Sequence, residues 1–316
     1  MNGRSLILVA AAGAAFAAGG AAVGATTETA AVPPIVYAAG GTGTERLGAE
    51  LYVREADGTT RRLTRNRVFD GFPRWSPDRS KIVFVRARGS DSDLYIMNAD
   101  GTAVRRLAGS AARFQDLYPA WSPDGRTIAF ASNRFGENEI LVMRADGTGL
   151  RRVTRTARWV DDTTPTFTPD GKALVITSNR VAFSNYELFR IRLSDGRVLK
   201  RLTFWGEGGD LTPGDDLMPE FSPDGKRIAW VSDRRGPEGR LGYALWTMNA
   251  NGGDVRRVAR HPTLNVAFPR WSPDGTTILY SSFVFDDAGM RSSRVRAVGA
   301  AGGAGAVIAK GTEADW

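Results

Sequence analysis

Acidic and basic side chains recur in this sequence at fixed spacings, and they are the residues best suited to chemistry. Four aspartates each stand five residues before an aromatic residue: Asp70, Asp116, Asp162 and Asp216. Four arginines each follow one of these aspartates at a distance of eighteen residues: Arg88, Arg134, Arg180 and Arg234. Carboxylates could bind a cation, and guanidinium groups could bind the carboxylate of a peptide. Together the two sets predict a partner-binding or ligand-binding ring.

The same residues also have a structural interpretation, in which each aspartate pairs with an arginine. Such a pair is planar and often bidentate, which suits a repeated contact between loops. At the two corresponding positions, one further repeat has Val266 and Val284, and another has Gly311 and Gly41. Because both charges are missing together, the sequence favours ion pairs, and the ligand ring is the alternative.

Additional carboxylates are expected near the same place. They are Asp161, Asp215, Glu313 and Asp315. A calcium site needs six to eight converging oxygens, and the neighbouring arginines would oppose it. Adjacent pairs such as Asp161 and Asp162 could instead serve a glycosidase. We count Asp161 and Asp215 among the candidate binding residues, and we predict neither a metal ion nor a cofactor.

Other catalytic chemistries find little support in the sequence. The chain has no cysteine, which excludes a thiol nucleophile, and its one histidine, His261, excludes a multi-histidine metal centre. No Gly-x-Ser-x-Gly nucleophile elbow occurs. We therefore expect a protein that is not an enzyme and has no catalytic residues. The alternative is a carbohydrate-active enzyme, or a carbohydrate- or metal-binding protein, that uses the carboxylates above.

A repeated turn motif must position these side chains. Its consensus is Pro-x-Trp/Phe-Ser/Thr-Pro-Asp, and its five copies lie at 72–78, 118–125, 164–171, 218–225 and 268–275. Steps of 46, 46, 54 and 50 residues separate the motif aspartates, and a period of this size indicates a repeat architecture. Proline presets the bend, and the aspartate bonds to its own backbone. Each copy is thus a short strand followed by a tight turn.

Each repeat is predicted to contain four strands, A to D. Strand A holds the motif, strand B is apolar, strand C alternates and ends at Asp-Gly or Asn-Gly, and strand D carries paired basic residues. We interpret the basic residues of strand D as protection of an outer edge. One sheet cannot cover both of its faces, whereas sheets packed around an axis can, and this predicts a β-propeller. In a propeller the B-to-C and D-to-A connections open on the same face, near the channel mouth.

The two ends of the chain complete one repeat. The first repeat has a strand B at Ile35–Ala39 but lacks a strand A. Glu313–Trp316 has the spacing of a strand A, and Trp316 stands where the other repeats have their motif aromatic. We therefore predict an all-β, six-bladed propeller of four-stranded antiparallel blades. It is closed by pairing of the C-terminal strand with the N-terminal blade, with Trp316 buried between blades.

The repeats resemble the TolB-type, WD40-like (PD40) propeller repeat. The resemblance is carried by Trp-Ser-Pro-Asp-Gly, by the Ser-Asn-Arg triplets at 132–134 and 178–180, and by the Leu-Tyr-x-Met-x-Ala-Asp-Gly and Arg-Arg-Leu segments, over residues 35–316. It implies a propeller in the bacterial periplasm that binds partner proteins. TolB also has an α/β domain before its propeller, whereas here residues 26–34 alone precede the first strand, so contacts of that domain are not expected.

The N-terminus is predicted to be a secretory signal covering residues 1–25. Arg4 provides the positive region, an apolar run follows, and Val23-Gly24-Ala25 offers small residues for cleavage near Ala25. Residues 26–34 are then a lead-in, and 35–316 form the propeller. The net charge is +8. Its arginines are spread over every repeat, so we expect no nucleic-acid binding. We predict a periplasmic or secreted monomer without a membrane span, which binds an envelope or extracellular protein at the channel-mouth face.

Overall fold

The computed structural model describes residues 33–40, 48–108, 114–182, 185–204, 214–234, 242–259, 265–286 and 289–316. They form six antiparallel sheets of four strands each. Each sheet contributes one innermost strand, and these six strands contact one another in a closed ring. Counted along the chain, the sixth innermost strand contacts both the fifth and the first. The predicted all-β, six-bladed propeller is therefore confirmed. No helix in these ranges could cross a membrane.

The strands follow the order A to D in each blade. Blade one contains β1 (Ile35–Ala39), β2 (Glu50–Arg54), β3 (Thr60–Arg62) and, from the other end of the chain, β24 (Thr312–Asp315). Blade two contains β4 (Phe69–Trp75), β5 (Lys81–Arg88), β6 (Asp91–Asn98) and β7 (Arg105–Ala108). Blade three contains β8 (Asp116–Trp121), β9 (Thr127–Ser132), β10 (Glu139–Arg144) and β11 (Arg151–Arg152). Blade four contains β12 (Asp162–Phe167), β13 (Ala173–Ala182), β14 (Asn185–Arg192) and β15 (Val198–Arg201). Blade five contains β16 (Asp216–Phe221), β17 (Arg227–Ser232), β18 (Ala244–Asn249) and β19 (Arg256–Ala259), and blade six contains β20 (Asn265–Trp271), β21 (Thr277–Asp286), β22 (Gly289–Gly299) and β23 (Ala306–Lys310).

Closure of the ring follows the prediction with one adjustment. Strand β24 pairs antiparallel with β1, joining Val36 to Asp315 and Ala38 to Thr312. The Trp316 indole donates a hydrogen bond to the Arg270 carbonyl of blade six at 3.2 Å. The prediction that Trp316 lies between blades is therefore confirmed. The prediction that it is buried was wrong, because the side chain is only partly buried.

A bulge bends every strand A at the same point. The residue there has a positive φ in all six blades: Phe72, Tyr118, Thr164, Met218, Phe268 and Glu313. The pairing register shifts at this point, as between Gly71 and Arg74 in blade two. A bulge redirects a side chain, and here several of these side chains meet in the central channel, where the Phe72 ring lies 5.1 Å from Tyr118 and 5.6 Å from Phe268.

The channel is also crossed by charges, two residues further along strand A. Glu220 of blade five lies 3.0 Å from Arg74 of blade two and 3.4 Å from Arg270 of blade six. Asp315 lies 3.7 Å from the Nε atom of Arg270 and 4.0 Å from that of Arg74. These four side chains, the channel ion cluster, are 12–17% exposed. They therefore tie four blades together across the axis.

The two faces of the propeller have different connections. The B-to-C and D-to-A connections form one face, which we call the pair face. The A-to-B turns, which contain the Ser/Thr-Pro-Asp motif, and the C-to-D turns form the other, the turn face. The predicted self-bonding aspartate is present in these turns, for example where Arg126 N donates to Asp124 Oδ1 at 3.0 Å. Residues 1–25, most of the 26–34 lead-in, Gly41 and His261 lie outside the described residues.

Candidate functional site on the pair face

Each of the four recurring aspartates forms an ion pair on the pair face. We call the set the inner arc: Asp70 with Arg86, Asp116 with Arg134, Asp162 with Arg180 and Asp216 with Arg234, all at 2.7–2.8 Å. The aspartate side chains are at most 5% exposed and the arginines 11–30%. A buried carboxylate needs a paired, hydrogen-bonded counter-charge. The geometry therefore agrees with the ion-pair interpretation, and the predicted reach between Asp116 and Arg134 is confirmed.

The predicted pairing of Asp70 with Arg88 was wrong. Arg88 is exposed, and Asp70 instead binds Arg86 through two bonds of 2.7 and 2.8 Å. The reason lies in the strand register, which places Arg86 directly opposite Asp70. The equivalent residue in blade three is Ser132, which is opposite Asp116. A serine cannot neutralise a carboxylate, so there the arginine two residues further on reaches back.

The Ser-Asn-Arg triplet has a clear structural role. In blade three, Ser132 Oγ accepts a hydrogen bond from Arg134 Nε at 2.9 Å and so orients the guanidinium. The amide oxygen of Asn133 accepts the backbone N–H of Gln115 at 2.8 Å, which joins the B-to-C loop to strand A. Blade four repeats both contacts. The motif therefore fixes the loops of the pair face around each ion pair.

Burial has the largest effect on the ionisation of two of these carboxyls, those of Asp116 and Asp162. It raises the pKa of Asp116 and of Asp162, although the paired arginine and a serine hydrogen bond act in the opposite direction. In blade two, the hydrogen bond to Asp70 raises the pKa of Arg86.

Asp161 and Asp215 are not part of an open ligand cage. Asp161 accepts the backbone N–H of Asn138 at 3.0 Å and the hydroxyl of Tyr186 at 2.9 Å. Asp215 accepts the backbone N–H of Tyr186 at 3.0 Å and the hydroxyl of Tyr243 at 3.2 Å. Both carboxylates therefore bond the loop of one blade to the start of the next. Within the described ranges, no group of three acidic or histidine side chains is arranged to hold a metal ion.

Blade five contains an additional acid at the asparagine position of the triplet. Asp233 accepts the backbone N–H of Asp215 at 2.6 Å, as Asn133 and Asn179 do for their neighbours. Burial, with a further contribution from the Asp215 charge, raises the pKa of Asp233 to about 6. Two carboxyl groups therefore compete for protons at this point of the pair face.

A second set of ion pairs was missed by the sequence analysis. This outer arc joins an acid near the start of strand C to an arginine of strand D: Glu50 with Arg62, Asp93 with Arg106, Glu139 with Arg152 and Glu187 with Arg201. The second basic residue of each strand D is thus more than edge protection. The available signal was an acid near the start of strand C in the four blades concerned.

Four exposed apolar side chains lie at the pair-face ends of blades three and four. We call them the apolar patch: Phe135, Trp159, Val181 and Phe204, which are 53, 44, 52 and 41% exposed. Phe135 stacks on Arg152 at 4.4 Å and Phe204 on Arg201 at 4.7 Å, so the outer arc supports both rings. The Trp159 carbonyl accepts a hydrogen bond from Asn179 in the next B-to-C loop. A rigid framework therefore holds these side chains toward solvent.

Exposed cations flank Trp159 of the apolar patch and also occur elsewhere on the pair face. Arg155 and Arg158 are exposed beside Trp159, and neither has an ion pair among the described residues. Arg65, Arg67 and Arg88 on the same face are also exposed, and none is in a salt bridge within the ranges given above. The inner and outer arcs pair eight acids of this face, while Glu137, two residues from Phe135, is exposed. The pair face therefore offers exposed cations beside Trp159 and at blades one and two.

Comparisons with known proteins agree with this architecture. Residues 109–213 match the family model described as the TolB beta propeller domain. The solved structure of TolB from Acinetobacter baumannii is 23% identical, with a TM-score of 0.67 over 90% of this chain and 66% of that one. A putative TolB from Agrobacterium tumefaciens is 21% identical, with a TM-score of 0.65 over 89% and 90% of the two chains.

A different relative carries an enzyme name. The uncharacterized peptidase YuxL of Bacillus subtilis is 41% identical over 61 residues, which are 19% of this chain and 8% of that protein. The match therefore covers a small part of both proteins. The family model matches residues 109–213, and the two solved TolB structures show the same propeller fold.

Proposed function

We propose that the protein is an exported, non-enzymatic interaction module that binds an acidic partner protein of the cell envelope on its pair face. The observation that carries the proposal is the apolar patch of Phe135, Trp159, Val181 and Phe204. Contiguous exposed apolar side chains on a soluble protein mark interaction sites. Aromatic residues and arginine are also the residue types enriched in interface centres.

Charge gives the partner its chemistry. Arg155 and Arg158 lie beside the apolar patch without counter-charges among the described residues. A partner with carboxylates around an apolar centre would complement them, and such complementarity increases both the association rate and the specificity. The TolB-like fold supports a periplasmic or secreted location, and we expect a monomeric module.

The carbohydrate alternative now has less support. It needs free, convergent carboxylates, whereas those of the inner arc are held by arginines and those of Asp161 and Asp215 by tyrosines and backbone N–H groups. A peptidase role, suggested by the name of one relative, is the competing hypothesis. Labelling with a fluorophosphonate probe distinguishes a peptidase from an interaction module, because the probe would modify a serine peptidase and would not modify the module.

A matched pair of variants tests the partner-binding proposal. The envelope fraction is cross-linked to purified residues 26–316 in the wild-type form, in Phe135→Ser/Trp159→Ser, and in the control Val104→Ser/Leu150→Ser. Val104 and Leu150 are 39 and 42% exposed and lie before β7 and β11, away from the patch. We expect one acidic protein to be lost from the patch variant at unchanged melting temperature and kept by the control. Equal recovery by all three forms would refute the proposal.

A further inference from the structure

The turn face carries tryptophans at the ends of four A strands. They are Trp75, Trp121, Trp271 and Trp316. The Trp121 indole donates to the Arg74 carbonyl of the preceding blade at 3.1 Å, and the Trp271 indole donates to the Glu220 carbonyl at 3.2 Å. The Trp121 and Trp271 rings are therefore anchored at interfaces between blades.

Between blades one and two, the chain covers the ring itself. The Arg79 guanidinium lies 5.1 Å from the centroid of the Trp75 ring, and its Nη2 atom donates to the Pro34 carbonyl at 2.6 Å. A guanidinium over the face of a tryptophan is a favourable cation–π contact. This interface shows which chemical group fits over an inter-blade tryptophan of this propeller.

Between blades two and three, no side chain of the turn covers the Trp121 ring in the way that Arg79 covers Trp75. Gly125 occupies the turn position that Arg79 holds in the preceding blade. The result is a groove of about 570 Å³, lined by Trp121, Ile96 and Ala145 and by the turn residues of both blades. This volume lies within the range of ligand pockets. The glycine therefore leaves exposed the surface that an arginine covers one blade earlier.

The groove also has the charge to attract a cation. The carboxylates of Asp78, Asp124 and Asp146 line it, against the two cations Lys81 and Arg105. Hydrogen bonds from Ser76, Ser122 and Thr148, respectively, are the main cause that lowers the pKa of these three carboxyls, so they are ionised at neutral pH. Lys81 is bonded to Asn98, and Arg105 to the Asp146 carbonyl.

The arrangement recurs on the opposite side of the ring. A groove of about 280 Å³ between blades five and six is lined by Trp271 and Gly275, with Asp224 and Asp274 on its rims and Arg227 as its cation. The Arg227 guanidinium is bonded to Asp254, Asn249 and Thr247. The second groove is smaller, so the first is the better candidate.

We propose that the groove between blades two and three binds an arginine side chain from an extended segment of another protein. The guanidinium would lie over Trp121, as Arg79 lies over Trp75, and would face the carboxylates of Asp78 and Asp124. The site is on the turn face, opposite the apolar patch. It is therefore independent of the pair-face proposal, and either proposal can be refuted without affecting the other.

The test uses a minimal probe, acetyl-Gly-Arg-Gly-amide, and follows the indole N–H resonance of Trp121 by NMR, assigned with Trp121→Phe. We expect a saturable shift with a Kd on the order of 1 mM, because one buried side chain gives only modest affinity. The citrulline peptide, which has the same shape without the charge, should bind at least fivefold more weakly. Equal binding of the two peptides, or no saturable shift at roughly ten times that Kd, would overturn the proposal.

Two variants at one residue control for the backbone. Gly125→Arg should fill the groove with the chain's own guanidinium and weaken binding of the peptide probe at least fivefold, whereas Gly125→Ala should leave probe binding unchanged. The turn accepts an arginine, since Arg79 has a φ of 58° and Gly125 one of 69°, and a Cβ at Gly125 would meet Pro77 at an ordinary 3.6 Å. Probe binding by Gly125→Arg as strong as that of the wild type would also reject the site.

A second copy of this arginine-rich chain is the other conceivable occupant. Sedimentation and the Trp121 resonance are therefore followed against protein concentration without peptide. A concentration-independent monomer supports the proposal. A dimer of the wild type that Gly125→Arg dissociates would assign the groove to self-association and reject an external partner.

Discussion

At the scale of single residues, the inner arc shows how the strand register selects one of two arginines. Arg86 and Arg88 are two residues apart on the same strand. Only the first stands opposite Asp70, and its guanidinium also lies 4.7 Å from the Tyr95 ring. Asp70 is fully buried. The energetic importance of the two arginines should therefore differ sharply.

Arg86→Ala should lower the free energy of unfolding by about 1–3 kcal/mol, because it leaves a buried carboxylate with a single remaining side-chain donor, Asn66. Arg88→Ala should change it by no more than about 0.5 kcal/mol, as is usual for surface substitutions. Urea denaturation of the two variants measures both values. Equal losses would contradict the pairing described here.

A second residue-scale prediction concerns pH and Asp233. Its folded pKa of about 6 lies above the ordinary value of 3.8, so the folded state binds more protons than the unfolded state between these values. Stability is therefore lost as pH rises from about 4 to 6. Asp233→Asn keeps the acceptor for Asp215 N, as Asn133 and Asn179 do. It should stabilise the protein by roughly 1–2 kcal/mol at pH 8 and by almost nothing at pH 4.

Thermal unfolding of Asp233→Asn and wild type across pH 4–8 provides the measurement. The matched control is Glu137→Gln, which removes an exposed acid of the same face and should show no such pH trend. A stabilisation that is the same at both ends of the range would mean that the Asp233 charge is not responsible.

At the scale of elements, the strands with a complete turn chemistry were predictable from the sequence. Ser/Thr-Pro-Asp turns and Asp-Gly or Asn-Gly turns mark where strands A to D begin and end in blades two to five. Blade six was harder, since β22 (Gly289–Gly299) and β23 (Ala306–Lys310) are joined by a glycine- and alanine-rich segment without an Asp-Gly turn. The outer arc was missed for a related reason, because its partners lie on different strands and their pairing depends on register.

The closing strand gives the sharpest test at this scale. Glu313 and Asp315 accept the backbone N–H groups of Phe72 and Trp75 at 2.7 and 2.8 Å, in addition to the pairing of β24 with β1. Deleting residues 313–316 removes these acceptors, part of the channel ion cluster and a large aromatic. It should cost roughly 3–5 kcal/mol or more, which is comparable with the margin of a typical domain.

The deletion should give an aggregating or protease-sensitive product, because it exposes the edges of two blades. The matched control deletes residues 26–32, which precede the first strand, and should leave the melting temperature unchanged. Limited proteolysis and thermal unfolding compare the two forms. A 313–316 deletion with wild-type stability would mean that the closure contributes nothing.

At the scale of the whole molecule, two kinds of contact hold the blades together, one between adjacent blades and one across the central channel. Around the rim, adjacent blades are joined by contacts such as those of Asp161 and Asp215. Along the axis, the channel ion cluster connects blades that are not neighbours in sequence. The sequence could predict the ring, but not this cluster, because its four members occupy a position that has no common residue type among the repeats.

Of the two acids in the cluster, Glu220 lies closer to both arginines, at 3.0 Å from Arg74 and 3.4 Å from Arg270. Burial, with the nearby Arg74 charge, already lowers the pKa of Arg270 to about 10. Glu220→Ala would leave two largely buried guanidinium groups with Asp315 as their one carboxylate in the cluster. The free energy of unfolding should therefore fall by about 3–5 kcal/mol, as when one partner of a buried pair is removed.

A second substitution shows whether the unbalanced charge causes this loss. Arg270→Met in the Glu220→Ala background leaves Arg74 with Asp315, so the charges balance again and an apolar side chain fills the space. Replacing buried ions by apolar groups is often close to neutral, so the double variant should be more stable than Glu220→Ala alone by at least about 1 kcal/mol. Because the two residues belong to different blades, a gain in urea denaturation would show coupling across the channel. A double variant less stable than either single one would instead mean that packing, not charge balance, governs the axis of the propeller.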